Sequence, residues 1–209
     1  MLNLVRGLLK LALWLFAFLL VVGAILKIFF VDILYVGHNG MAPTLVRGER
    51  VLVWRGAEPK FGRVMLCKLP SSGEHVIGRV MGTAGREVGS SRGRLTLGGK
   101  TPPVDWKSKV EFFDEDTGRT EVHHLGIEDI AVLSHPILEK EIGSFRIRAR
   151  SVADGRIYLL GDNRSHLGQD SRSFGDIPAD ACIGAVFLRL LPTDQAKEKF
   201  GHRAVQLID

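Results

Sequence analysis

Hydrophobic residues crowd the start of the chain and then give way to short alternating runs. From Leu8 to Tyr35 nearly every position is apolar, broken by Lys10, Lys27 and Asp32. The uncharged stretch Leu11 to Leu26 is 16 residues long, a little under the roughly 20 that cross a bilayer as a helix. Lys27 can lay its stem along apolar surface and extend its ammonium to headgroups, so the span continues through Ile28, Phe29, Phe30 and Val31. The pattern predicts one membrane helix. Arg6 and Lys10 ahead of it favour a cytoplasmic N-terminus, which places the rest of the chain outside. Val31 to Tyr35 offers no small-x-small cleavage site, so a retained anchor is expected rather than a removable leader.

Beyond Gly37 the period changes. Val51–Trp54, Val64–Cys67, Val76–Ile77 with Val80–Met81, and Ile157–Leu160 read as strands. Turn chemistry separates them at Arg47–Gly48–Glu49, Phe61–Gly62–Arg63 and Ser71–Ser72–Gly73. No helical pattern follows the anchor until Asp194 to Phe200. Residues from about Ser90 to Arg150 are more polar, with Pro102–Pro103 and Asp114–Glu115–Asp116, and suit an inserted lobe or long hairpins. The expected division is an N-terminus and anchor over 1–36, a β core over 37–90 resumed at 151–192, a smaller β lobe over 91–150, and a tail over 193–209.

Composition adds limits. The net charge is +5 and the pI about 9.4, but Lys and Arg are scattered without aromatic interleaving. Nucleic acid is therefore not an expected partner, and the charge reads as solvated surface with some attraction to anionic headgroups. Cys67 and Cys182 form no CxxC pattern; two separate buried thiols are the favoured reading, and one disulfide the other. No His/Cys cluster has metal-ligand spacing, so no metal or cofactor is expected.

Four segments then resemble, in order, the signature blocks of the type I signal peptidases, the S26 serine endopeptidases. Gly40-Met41-Ala42-Pro43-Thr44-Leu45 resembles Ser-Met-x-Pro-Thr-Leu. Gly48-Glu49-Arg50-Val51-Leu52-Val53 is similar to Gly-Asp-x-Val-x-Val, and Gly78-Arg79-Val80-Met81-Gly82-Thr83-Ala84-Gly85 to Lys-Arg-Val-x-Gly-x-Pro-Gly. Gly161-Asp162-Asn163-Arg164, followed by Asp170-Ser171-Arg172 and Phe174-Gly175, resembles the last block. The resemblance implies a mostly β, two-lobed fold behind a single transmembrane helix in the plasma (inner) membrane. It also implies exported preproteins, with their signal peptides, as the substrate class. Met41, Pro43, Thr44, Arg79, Asp162, Asn163, Arg164, Asp170, Ser171 and Arg172 are the expected groove and scaffold positions, the Asp and Arg residues forming ion pairs.

At the catalytic centre the match breaks. The family's nucleophilic Ser falls on Gly40, its general-base Lys on Gly78, and the hydroxyl of its oxyanion hole on His38. Five residues, Ser165 to Gln169, separate the two halves of the last block where the family has four, and the family's Ser in that loop is matched by Leu167 or Gly168. A hydroxyl nucleophile needs an adjacent base, and a Lys serves only if burial brings its pKa down from about 10.4. Losing nucleophile or base costs about six orders of magnitude in kcat, and losing both costs little more. His75 would lie on the strand face opposite position 78. Ser165, Ser171 and Ser173 read as loop hydroxyls bonded to backbone, and His166 as solvent-exposed. The expected protein is thus a non-catalytic relative that binds signal peptides, preproteins or an active peptidase. An active peptidase with a non-standard dyad is the rival, and a purely structural membrane protein the third reading.

Overall fold

A computed structural model describes residues 2–208, with side chains for all of these but 2–4 and 25–29. Helix α1 (Leu2–Phe29) carries a span long and apolar enough to cross a membrane at Val5–Ala24, 20 residues. The span is drawn from the described residues alone, and Val31 lies outside helix α1. Val31 opens strand β1 (Val31–Tyr35), where it lies opposite Trp54. The side chain of Lys27, expected at the headgroups, lies outside the described residues.

The rest is antiparallel β structure, and strand outweighs helix by 43% to 19%. After β1 come β2 (Arg50–Arg55), β3 (Val64–Lys68), β4 (His75–Thr83), β5 (Glu87–Ser91) and β6 (Arg94–Leu97). Then follow β7 (Val104–Asp114), β8 (Arg119–Asp129), β9 (Ser134–Glu139), β10 (Arg150–Ser151) and β11 (Arg156–Leu160). A one-turn helix α2 (Ser171–Phe174), β12 (Ile177–Pro178), β13 (Cys182–Leu191), α3 (Asp194–Phe200) and β14 (Gln206–Leu207) complete the chain. The main sheet runs β1-β2-β13-β3-β4-β11-β12, with β14 beside β13. Smaller three-stranded sheets are β10-β5-β6 and β7-β8-β9.

Alternation explains β2: Val51 and Val53 are buried while Arg50 and Trp54 face out. Strand β4 is different, because every residue from Val76 to Met81 and on to Gly82 is buried. Its apolar side chains serve two clusters. Ile77 packs with Met41, Leu45 and Val53, and Val76 and Val80 pack with Met65 and Leu159. Cys67 lies directly opposite Cys182 across β3 and β13, and the two are joined in a disulfide. That corrects the favoured sequence reading of two separate thiols. The 115-residue separation hid a strand register that places the two cysteines side by side.

Candidate functional site

The loop leaving β1 turns at Asn39–Met41, a single 3-10 turn whose three residues are all buried. Several groups fix it. Asn39 donates its backbone N–H to Asp116 Oδ2 at 2.6 Å and its amide to Asp114 Oδ1 at 2.7 Å and Glu115 Oε2 at 3.0 Å. Its own Oδ1 accepts from the Arg47 backbone at 2.9 Å, and Arg47 pairs with Asp116 at 2.7 Å. The acidic turn between β7 and β8 is therefore docked on the turn that carries Gly40. Nothing local in the sequence links these segments, which are about 75 residues apart.

Gly40 presents two backbone groups. Its carbonyl accepts from the Asn163 backbone at 3.1 Å, and a Cβ on Gly161 would stand 2.4 Å from that oxygen, so only glycine fits there. Its N–H donates to Nδ1 of His38 at 3.0 Å. A Cβ added at position 40 would meet His38 Nδ1 at 2.9 Å and His166 Cδ2 at 3.3 Å. The two imidazoles stack, centroids 5.9 Å apart and planes 15° from parallel. Burial, followed by the neighbouring His166 and, more weakly, Arg47, lowers the His38 pKa below its ordinary value despite Asp116, which favours the neutral ring whose Nδ1 can accept. His166 corrects the sequence reading. Its side chain is 13% exposed rather than free in solvent, and the loop turns the next residues outward instead: Leu167 is 71% exposed and Gly168 has φ +95°.

Position 78 is filled from another side. Gly78 lies in the middle of β4 opposite Met65, and a Cβ there would stand 2.9 Å from Leu159 Cβ. His75 instead lines an open groove of about 530 Å³ with Gly37, His38, Glu74, His166 and Gln169. The three serines of the last block bond to backbone: Ser165 accepts from Lys140 N at 2.7 Å, Ser171 accepts from Leu159 N at 2.9 Å, and Ser173 donates to the Asp170 carbonyl at 2.8 Å. None is aimed at Gly40.

Behind this corner lies a buried ion-pair network. Arg79 grips Asp162 through Nε at 3.0 Å and Nη2 at 2.8 Å and donates to the Gly62 carbonyl at 2.8 Å. Thr44 donates to the same Asp162 carboxylate. Burial alone would raise the Asp162 pKa, yet Arg79, with Thr44 assisting, holds it below the usual carboxylate range. Asp170 accepts from Gly161 N at 3.0 Å, caps α2 through Arg172 N at 2.9 Å, and pairs with the Arg172 guanidinium. Arg164 pairs with Glu128, and His135 stands 3.5 Å from both the Glu128 and Asp162 carboxylates. Burial pushes the His135 pKa down to about 4. Glu128 and His135 were not legible as partners, because they arrive from β8 and β9 without a motif. Met41 is wholly buried among Val36, Leu45 and Val51, Asn163 backs the turn by donating its amide to the Asn39 carbonyl at 3.3 Å, and Pro43 is buried.

The chain thus sets a β-rich domain behind an apolar helix, with Gly40 in a buried turn and Gly78 in the middle of β4. The chain belongs to the signal peptidase family, peptidase S26, whose sequence profile matches residues 8–191. It is 27% identical over 169 residues to signal peptidase IB of Staphylococcus aureus (strain Mu50 / ATCC 700699), covering 78% of each chain. It is 22% identical over 182 residues to probable signal peptidase I-1 of Synechocystis sp. (strain ATCC 27184 / PCC 6803 / Kazusa), covering 84% of this chain and 79% of that one. Among solved structures, a signal peptidase I from Enterococcus faecalis V583 aligns with 62% of this chain and 97% of its own at 20% identity and TM-score 0.36.

Proposed function

We propose that this chain is a non-catalytic signal peptidase homologue that holds signal peptides or exported preproteins, alone or beside an active signal peptidase. One observation carries the reading: positions 40 and 78 are both glycine, and His38, His166 and Leu159 occupy the space their side chains would fill. Acyl transfer needs an oxygen or sulfur nucleophile with a base in reach, and neither atom type is supplied at these positions. The backbone N–H that would stabilise an oxyanion is already donated to His38. The groove between Gly37–His38 and Glu74–His75 lies beside two strands and suits an extended peptide bound by strand addition. The domain is assigned to the extracytoplasmic side of the plasma membrane, a placement supported by the Cys67–Cys182 disulfide and by the charges ahead of the span.

The test uses the full chain in detergent with a photo-crosslinkable preprotein. The expected result is no cleavage, together with crosslinking to the groove that falls when His75→Glu or Gln169→Glu alters its wall. Single-turnover cleavage abolished by His38→Ala or His75→Ala would establish the rival active enzyme. No crosslinking above a scrambled-sequence control would leave only a structural role.

A further inference from the structure

A second, larger depression lies on another part of the domain, away from Gly40. It has a volume of about 850 Å³ and is walled mainly by Trp54, Phe61, Val64, Leu133 and Phe187, with Lys60 and Arg63 at its lip. Its position relative to α1 is set by strand register. Trp54 lies opposite Val31, two residues beyond the end of α1. Its ring stacks on Phe30 at 5.7 Å and meets Phe187 edge-on at 6.3 Å. This aromatic cluster therefore stands where the chain leaves α1, and with α1 across a bilayer it falls near the interface, where Trp concentrates in membrane proteins. The neighbouring surface continues the apolar character: Ile33 is 53% exposed, Val132 63% and Leu207 69%. The flanking segments carry the carboxylates of Asp32, Glu58 and Asp129, the last accepting from the Ala131 backbone at 2.9 Å. Asp32 is bonded to Arg55, and the Arg63 guanidinium bridges to the Glu58 backbone carbonyl at 3.1 Å. Lys60 and Arg63 are both exposed.

We propose that this groove binds a phospholipid of the bilayer that holds the anchor, with an acyl chain among Trp54, Phe61 and Leu133 and an anionic headgroup at Lys60 and Arg63. An apolar trough of this size open to water would be costly. A trough whose aromatic lip is level with the membrane surface is filled from the bilayer without a protein partner. The two cations at its edge select an anionic headgroup, since a basic residue near such a surface gains attraction. The inference does not depend on whether the chain cleaves anything; it requires only that α1 lies in a membrane.

The experiment uses the full chain in lipid nanodiscs, with Trp14→Phe and Trp106→Phe leaving Trp54 as the sole tryptophan. Its fluorescence is measured with phosphatidylglycerol or phosphatidylcholine brominated in mid-chain at equal mole fraction. The expected result is stronger quenching by the brominated phosphatidylglycerol, with that preference lost in Lys60→Glu/Arg63→Glu, about five-fold in apparent affinity for each cation removed. Val132→Asp, at an exposed position that leaves the core alone, should weaken quenching by both lipids. Native mass spectrometry of the same proteins should show one retained phosphatidylglycerol per chain, absent from the charge-reversal variant. Equal quenching by both lipids, unchanged in every variant, would mean that Trp54 merely lies near the bilayer and would overturn the proposal. So would no quenching, or a second protein chain bound over the groove.

Discussion

The corner around Gly40 and the core around Asp162 are neighbours, since Thr44 belongs to the same segment as Gly40 and bonds to Asp162. They have nonetheless gone different ways. In the core, the motif residues Thr44, Arg79, Asp162, Arg164, Asp170 and Arg172 are present and engaged. At the corner, positions 40 and 78 hold glycine, and imidazole and leucine stand against them. The difference is energetic. A buried ion pair need not stabilise a fold relative to an apolar replacement, but removing one partner leaves an uncompensated buried charge. A catalytic Ser or Lys carries no such penalty. The frame motifs therefore bear witness to folding, and the proposal about chemistry rests on the corner alone.

The sharpest way to break that comparison is to remove one charge from the core. Asp162→Ala would leave Arg79, whose side chain is 0% exposed, facing an apolar gap, and would orphan Thr44. The expected cost is about 3–5 kcal/mol, read as a lower urea midpoint for the full chain in detergent. A loss under about 1 kcal/mol would mean that water reaches Arg79 and that the core is no stiffer than the surface.

A smaller effect comes from pH. His135 has a pKa of about 4 in the fold against about 6.5 in an unfolded chain. The unfolded state therefore takes up the proton first, so stability is complete above about pH 6.5, falls as pH drops towards 4, and is flat for this group below that. The loss approaches about 3 kcal/mol. His38 and His123, both lowered by burial, act in the same direction, whereas Glu139, raised by burial, opposes them. His135→Gln should flatten the slope between pH 6.5 and 4; an unchanged slope would exclude His135 as its source.

What could be read from the sequence follows the same division. The strands over Val51–Trp54, Val64–Cys67 and Ile157–Leu160 fall within β2, β3 and β11, and Asp194–Phe200 is α3, because alternation and capping are local signals. The two glycine positions were legible because motif order carries them. The disulfide, the docking of Asp114–Asp116 on Asn39, the Glu128–Arg164 pair and the stack of His166 on His38 were not. Each joins distant segments, and a histidine in a polar loop looks the same whether the loop folds outward or back over the site.

The smallest predicted effects decide whether the corner is merely empty or closed. At position 40 the nearest atoms to an added Cβ belong to the His38 and His166 rings, which can swing aside, so Gly40→Ala should cost under about 1 kcal/mol. At position 78 the nearest atom is Leu159 Cβ, held by the backbone of β11, so Gly78→Ala should cost about 1–3 kcal/mol. Restoring the dyad as Gly40→Ser/Gly78→Lys should then give no cleavage of a preprotein, because the Lys cannot enter without displacing β11 and the Gly40 N–H remains bonded to His38. Adding His38→Ser and Leu159→Gly removes both obstructions, since only glycine at 159 lacks the Cβ that stands against position 78. Activity appearing only in that fourfold variant would show a usable frame behind a closed corner. Activity in the double variant would show that Leu159 yields, and that two missing side chains were the whole difference.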